Sequence, residues 1–215
     1  MKSPLAVRFN SKDHQERNRV WKILIEEVFQ SYINRGSSVL DVGAGFCEFI
    51  NNVSCKDKFA IDLSDMIKKY AGKKVKTIRK PFLKISKVYY GKFDTIFMSN
   101  FLEHLSDKDE VIKTLTVSHK LLKPHGKLLI MQPNIDLIKT KYWDRIDHNI
   151  ALNGESLKEG LELSGFKIQE YYKKFLPYTF QQKLPTAGVL IRIYLKLPQI
   201  LRIFAGQSLF VALKK

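Results

Sequence analysis

The chain has 215 residues, 45% of them hydrophobic, which suits one domain around one sizeable core. Its 37 basic residues outnumber 21 acidic ones, a net charge of +16 that raises nucleic acid, an anionic membrane surface or a phosphorylated carrier as partners. Two cysteines, Cys47 and Cys55, exclude a disulfide framework and offer no metal-site spacing. Met1 to Phe9 carries charges without an apolar core, so no signal peptide is expected there. No stretch reaches the ~20 apolar residues of a membrane span, and a reducing cytoplasm is the expected compartment. The lysines from Lys56 to Lys87 are scattered, with no arginine–aromatic interleaving, so the charge reads first as a solvated surface.

In chain order, Lys12 to Ile33 reads as an amphipathic helix, with Val20, Ile23, Leu24, Val28 and Tyr32 at helical spacing. It is expected to cover the sheet or the mouth of a ligand site, within an N-terminal cap spanning residues 1–36. A strand from Ser38 runs through Val39-Leu40-Asp41-Val42 into Gly43-Ala44-Gly45, and Phe46 to Val53 follows as a helix. Lys58 to Leu63 is a second strand, and Ser64 to Tyr70 a helix with Ser64 as its cap. Strands follow at Val75–Ile78, Lys92–Ser99 and Lys127–Gln132, with a helix from Asp107 to Leu122 capped by Ser106 or Asp107. Strands alternating with helices imply a parallel sheet with right-handed crossovers.

After Pro133 the pattern changes. Asn134 to Asn149 is a loop with a helical turn, Ser156 to Ser164 a helix, and Phe166–Lys173 and Ser208–Leu213 the last two strands. Between those strands lies a helical insertion over residues 174–207, longer than a hairpin needs. Within it, Gly188 to Phe204 is apolar except for Arg192, Lys196, Gln199 and Arg202, which would form one polar stripe on a helix that Pro198 kinks or divides. It reads as a cap over the substrate side with its cations facing solvent, or as a surface that rests on a membrane or grips a lipid-linked substrate.

The turn at Gly43-Ala44-Gly45 is a ligand cradle: glycine lets backbone approach a ligand, and a following helix points free N–H groups at it. It lacks the dinucleotide fingerprint, because the third glycine position holds Glu48. Asp41, just ahead of the turn, suits a cationic or amine-bearing ligand better than a pyrophosphate. Asp62 lies 17 positions past Gly45, close to the roughly 20-residue spacing at which an acid at the second strand tip reaches ribose hydroxyls.

Val39 to Phe49, together with Asp62, resembles the first two cofactor motifs of the class I S-adenosylmethionine-dependent methyltransferases. Phe93 to Leu105 is similar to their fourth-strand motif, and Leu121 to Ile130 to the turn into their fifth strand. Two departures stand out: the usual third glycine of the first motif is Cys47, and the loop near Arg79-Lys80-Pro81-Phe82 lacks the acid that often meets the adenine amino group. The resemblance implies a single domain over residues 1–215, built on a seven-stranded, mostly parallel α/β sheet. Helices lie on both faces, and the last strand is antiparallel. It implies S-adenosyl-L-methionine as cofactor, with Asp41, Gly43, Ala44 and Gly45 at its methionine part. Asp62 and Leu63 would meet its ribose and adenine, and Ser99, Asn100 and Phe101 would lie beside the reactive methyl.

Methyl transfer from a sulfonium is an in-line displacement that needs no metal and relies on holding donor and acceptor in line. An oxygen acceptor must also lose a proton to a base. His148, with Asp147 to orient it, is the first candidate, and His104 next to Glu103 the second. Each has a plainer reading: Asp147-His148 as a buried tie for its loop, Glu103-His104 as helix-start bonding. The segments from Tyr142 to His148, Phe175 to Thr179 and Tyr194 to Pro198 are similar to bacterial methyltransferases from cell-surface polysaccharide and lipid gene neighbourhoods. That similarity implies a small-molecule, sugar or lipid-linked hydroxyl acceptor, with peripheral contact to an anionic membrane. The alternatives are an RNA methyltransferase and a non-catalytic cofactor-binding protein of the same fold. Ser99-Asn100-Phe101-Leu102 stands where base methylation would use an Asn/Asp-Pro-Pro-aromatic run, which counts against nucleic acid.

Overall fold

The computed structural model describes residues 11–178 and 188–215, with side chains from His14 onward. Met1 to Phe9 and Thr179, which figure in the sequence reading, lie outside the described residues. Seven strands form one sheet: β1 (Ser38–Val42), β2 (Asp57–Asp62), β3 (Val75–Arg79), β4 (Phe93–Ser99), β5 (Leu122–Pro133), β6 (Phe166–Pro177) and β7 (Ala205–Lys214). Their order is β3-β2-β1-β4-β5-β7-β6, and β7 is antiparallel to both of its neighbours. The expected α/β sheet with an antiparallel last strand is what forms.

The strands are apolar on both faces because helices cover both. Leu40, Val42, Ile96, Met98, Leu128 and Ile130 point to one side, where α4 (Lys108–Leu121) and α6 (Gly154–Leu163) bury Val111, Leu115, Leu157 and Leu161. Val39, Ala60, Phe97, Leu129 and Met131 point to the other, under α1 (Ser11–Glu27), α2 (Glu48–Asn52) and α3 (Met66–Tyr70). There Phe49 stacks on Phe97 at 3.8 Å between ring centroids, and Phe29 meets Phe97 edge-on at 5.0 Å. Alternate side chains of one strand thus feed two cores, as the pleat requires.

Local chemistry sets the element ends. Asp107 caps α4 by accepting from the Glu110 N–H at 2.7 Å, one of the two capping residues expected. Ser64 Oγ accepts from the Met66 N–H, although the helix itself begins at Met66. Asn134 caps α5 (Ile135–Ile138) by accepting from the Asp136 N–H at 3.0 Å, and Asn153 and Ser156 close a reciprocal capping box on α6. The first helix is shorter than its periodicity predicts: Val28 leaves helical geometry (φ −133°, ψ −66°), and a 3₁₀ turn over Phe29–Tyr32 follows.

The largest difference is at the end of the chain. β6 runs on to Pro177 and β7 begins at Ala205, so the segment between strands is 178–204 rather than 174–207. Its described part is α7 (Gly188–Lys196), which stops before Pro198, and a 3₁₀ turn over Gln199–Leu201; proline divides the helix as expected. Of the polar stripe, Lys196 faces water as expected, but the two arginines turn to the protein. Arg192 bonds Glu26 at 2.6 Å and also bonds Glu27, both on α1. The buried Arg202 donates to the carbonyls of Leu195 (2.6 Å) and Leu197 (3.0 Å). Guanidinium groups found acidic and carbonyl partners on the protein side, and that turned the apolar side chains outward.

Candidate active site

The parallel strands end on one edge of the sheet, and the candidate residues collect there. After β1 the backbone turns through Gly43 (φ 67°) and Gly45 (φ 49°). Gly43 has no substitute: a Cβ would stand 2.6 Å from the Phe101 ring, in a conformation that L side chains avoid. The Gly45 N–H donates to Asp62 Oδ2 at 2.9 Å and the Ser64 N–H to Oδ1 at 2.7 Å. The Asp62 carboxylate is therefore fixed between two turns, with a lone pair left on each oxygen. Beside it Leu63 is 64% exposed, an apolar surface facing open space. Arg79 Nε holds the Leu63 carbonyl at 3.3 Å from the end of β3. Phe82, in the loop without an acid, is buried against Phe101 at 6.2 Å.

Cys47, where a third glycine is usual, sits at φ 59°, ψ 23°. The turn keeps the left-handed step that glycine would take freely, at a cost of about 1–2 kcal/mol for a residue with a Cβ. Burial, then the charges of Asp41, Glu48 and Asp62, push its thiol well above the ordinary cysteine range, so it stays protonated. Burial and the neighbouring Glu48 likewise push the Asp41 carboxyl up. Glu48 is itself buried and paired with Arg17 Nε at 3.0 Å and His14 Nδ1 at 3.6 Å. His14 packs on Phe46 and Tyr70. The N-terminal helix therefore covers both the sheet and the cradle. In a strongly basic protein, three acids converge on this turn, an environment that favours a cation.

The turn after β4 carries Ser99, Asn100 and Phe101. Asn100 is left-handed (φ 48°); its N–H donates to the Met131 carbonyl at 2.9 Å, and its side-chain oxygen accepts from Gln207 of β7 at 3.2 Å. Next along, Glu103 is 1% exposed, and neither carboxylate oxygen has a hydrogen-bond partner. Its backbone carbonyl accepts from the N–H groups of Asn149 (2.9 Å) and Ile150 (3.4 Å), which draws the 134–149 loop over it. Burial pushes the Glu103 carboxyl up to about 7, with His104 opposing and Asp147 adding to the rise. His104 Nδ1 lies 2.7 Å from the Asp147 carbonyl and 3.6 Å from its carboxylate. A carbonyl only accepts, so Nδ1 is the donor there, and in the neutral imidazole Nε2 is the nitrogen with the lone pair. The His148 ring lies 5.3 Å from His104 and 4.9 Å from Tyr142 between centroids. One ligand atom each from Glu103, His104 and His148 falls within a 4.8 Å cluster, a set that could take a divalent cation.

The fold matches known proteins. A family model described as a methyltransferase domain matches residues 13–171. The chain belongs to the methyltransferase-domain family. Its fold is that of the class I S-adenosylmethionine-dependent methyltransferases. An Archaeoglobus fulgidus S-adenosylmethionine-dependent methyltransferase superposes with TM-score 0.68 at 21% identity, covering 94% of this chain and 98% of that one. A Mesorhizobium loti S-adenosylmethionine-dependent methyltransferase superposes with TM-score 0.61 at 17% identity, over 83% and 91%. The [4+2]-cyclase SpnF matches at 0.64 and 16% identity, over 93% and 81%. No curated protein matches the chain.

The residues of this methyltransferase fit S-adenosylmethionine as cofactor. Asp62 has a fixed carboxylate with free lone pairs for a ribose diol, Leu63 offers an apolar surface for a purine, and Asp41 lies where positive charge would be welcome. The structure also brings His104 to Asp147 and His148, more than forty positions further along the sequence. Sequence reasoning passed over Glu103 as a working group, and it missed Arg17 and Gln207 altogether. Adjacency to His104 was the one available signal for Glu103; none existed for the other two.

Proposed function

We propose that this methyltransferase acts on a hydroxyl group of a small molecule, a sugar or a lipid-linked glycan, with His104 as the general base. When bound, S-adenosylmethionine supplies a methyl group already activated by a positive sulfur. The chain's own task is to seat donor and acceptor in line, exclude water and take up the hydroxyl proton. The tautomer of His104 supports this reading: Asp147 holds Nδ1–H, which leaves Nε2 as the acceptor nitrogen. His104 is 34% exposed, unlike the buried Glu103 and His148, so it is the member of the cluster that an acceptor can reach. Glu103 and His148 then stand behind it as groups that share or balance the proton. Asp147 acts as a positioning residue, because it works through the imidazole.

The test is methyl transfer to a panel of hydroxyl and amine acceptors, with pH profiles for wild type and His104→Gln. Turnover on hydroxyl acceptors that rises with pH, and falls about 10²-fold or more in the variant, supports the reading. Full turnover in His104→Gln, or transfer to amines alone, overturns it. Activity should survive a chelator, since no step requires a cation.

A further inference from the structure

We infer that the outward face of residues 189–204 docks on an anionic phospholipid bilayer. In an ordinary surface helix the apolar stripe turns to the core and charges turn to water. Here that arrangement holds only in part: Ile191, Tyr194 and Leu195 pack on the core, but other apolar side chains face out. On α7, Ile191 is buried and Arg192 is turned to Glu26 and Glu27, while Val189 is 67% and Ile193 53% exposed. Beyond Pro198, the Arg202 guanidinium is buried among backbone carbonyls, while Ile200 is 78%, Ile203 73% and Phe204 68% exposed. So many large aliphatic and aromatic side chains in one short segment exceed the scattered exposure normal for a soluble surface.

Charge identifies what covers this face. From Tyr171 to Lys215 the chain has eight Lys and Arg residues and no Asp or Glu. Of these, Lys173 and Lys196 are exposed; Lys196 lies in the segment itself, and the backbone of Lys174, next to Lys173, bonds Gln199 and Arg202. Apolar side chains beside exposed lysines, with the nearby carboxylates of Glu26 and Glu27 taken up by Arg192, match an interface of acyl chains beneath anionic headgroups. A second copy of this chain would set the same lysines against each other. Among the described residues, no helix is long and apolar enough to cross a membrane, so this contact is peripheral.

Topology gives the contact a purpose. β6 ends and β7 begins on the edge where β1, β2 and β4 end, so the apolar face shares its edge with the cradle and the His104 cluster. The 134–149 loop on that edge also shows Trp143 (53% exposed) and Ile146 (93%).

Vesicle flotation tests the inference on the full chain, with neutral phosphatidylcholine vesicles and vesicles containing about 30% phosphatidylglycerol. The protein should float with the anionic vesicles, and less so as salt rises. The double variant Ile193→Asp/Ile200→Asp should lose binding at least tenfold while still titrating S-adenosylhomocysteine as wild type does, which shows that it folds. Ile200→Lys should lose less, because it keeps the charge attraction. Equal binding to neutral vesicles, no binding to anionic ones, or a concentration-dependent dimer that the double variant dissolves would each overturn it. None of these readings depends on which acceptor is methylated.

Discussion

The two halves of the site are built differently. The cofactor cradle is made by backbone: two left-handed glycines, two N–H groups on Asp62, and a cysteine forced into a glycine's conformation. Its parts lie within a run of 24 residues, Asp41 to Ser64. The acceptor side is made by side chains carried on two segments, Glu103-His104 and Asp147-His148, joined by backbone bonds from Asn149 and Ile150. Backbone geometry tolerates little change, so the cradle depends on few side chains. Side-chain clusters depend on each residue present, so the acceptor side is the more sensitive to substitution.

Substitutions can break that division or sharpen it. The largest effect is expected for His104→Gln: turnover should drop about 10²- to 10⁴-fold, with cofactor affinity unchanged by isothermal titration. Asp62→Ala should do the reverse. Losing charge-assisted bonds of about 1.5–3 kcal/mol each should weaken S-adenosylmethionine binding by roughly 10- to 100-fold or more, and binding at wild-type affinity would remove Asp62 from the ribose site.

Glu103 links the site to stability. Its carboxyl ionises near pH 7 in the folded protein, against 4.5 ordinarily, so the fold holds a proton that the unfolded chain releases. That contribution is present below about pH 4.5 and lost as pH rises to about 7, some 3 kcal/mol in all. Denaturant melts of Glu103→Gln should show this slope removed; an unchanged slope would mean that the carboxylate is paired in solution. The smallest effect is expected for Arg192→Gln. Its partners on α1 are partly exposed, so the ion pairs contribute at most about 1 kcal/mol, read as a slight shift of the urea midpoint.

The same division explains what could be read from sequence. Strands bounded by glycine and acid are local signals, so β1, β2, β4 and the cradle were legible from residue types and spacing. The Asp62 clamp follows from the same short run. The burial of Glu103 was not legible, because it depends on a loop that begins thirty residues later. The 178–204 segment shows the other kind of limit. Its periodicity correctly marked one stripe of long polar residues, but periodicity does not say which stripe faces the protein. The acids of α1 and the carbonyls beneath Arg202 decided that. Cys47 lies between: the missing glycine is plain in the sequence, but only the backbone shows that its φ was kept.

The central claim is that the clamped Asp62 carboxylate and the glycine turn hold S-adenosylmethionine. Titrating the purified protein with S-adenosylmethionine, S-adenosylhomocysteine and NAD by calorimetry addresses it most directly. Micromolar binding of the first two, none of NAD, and a large loss in Asp62→Ala is the predicted result. Heat from NAD alone, or no binding of either sulfur ligand, would contradict it.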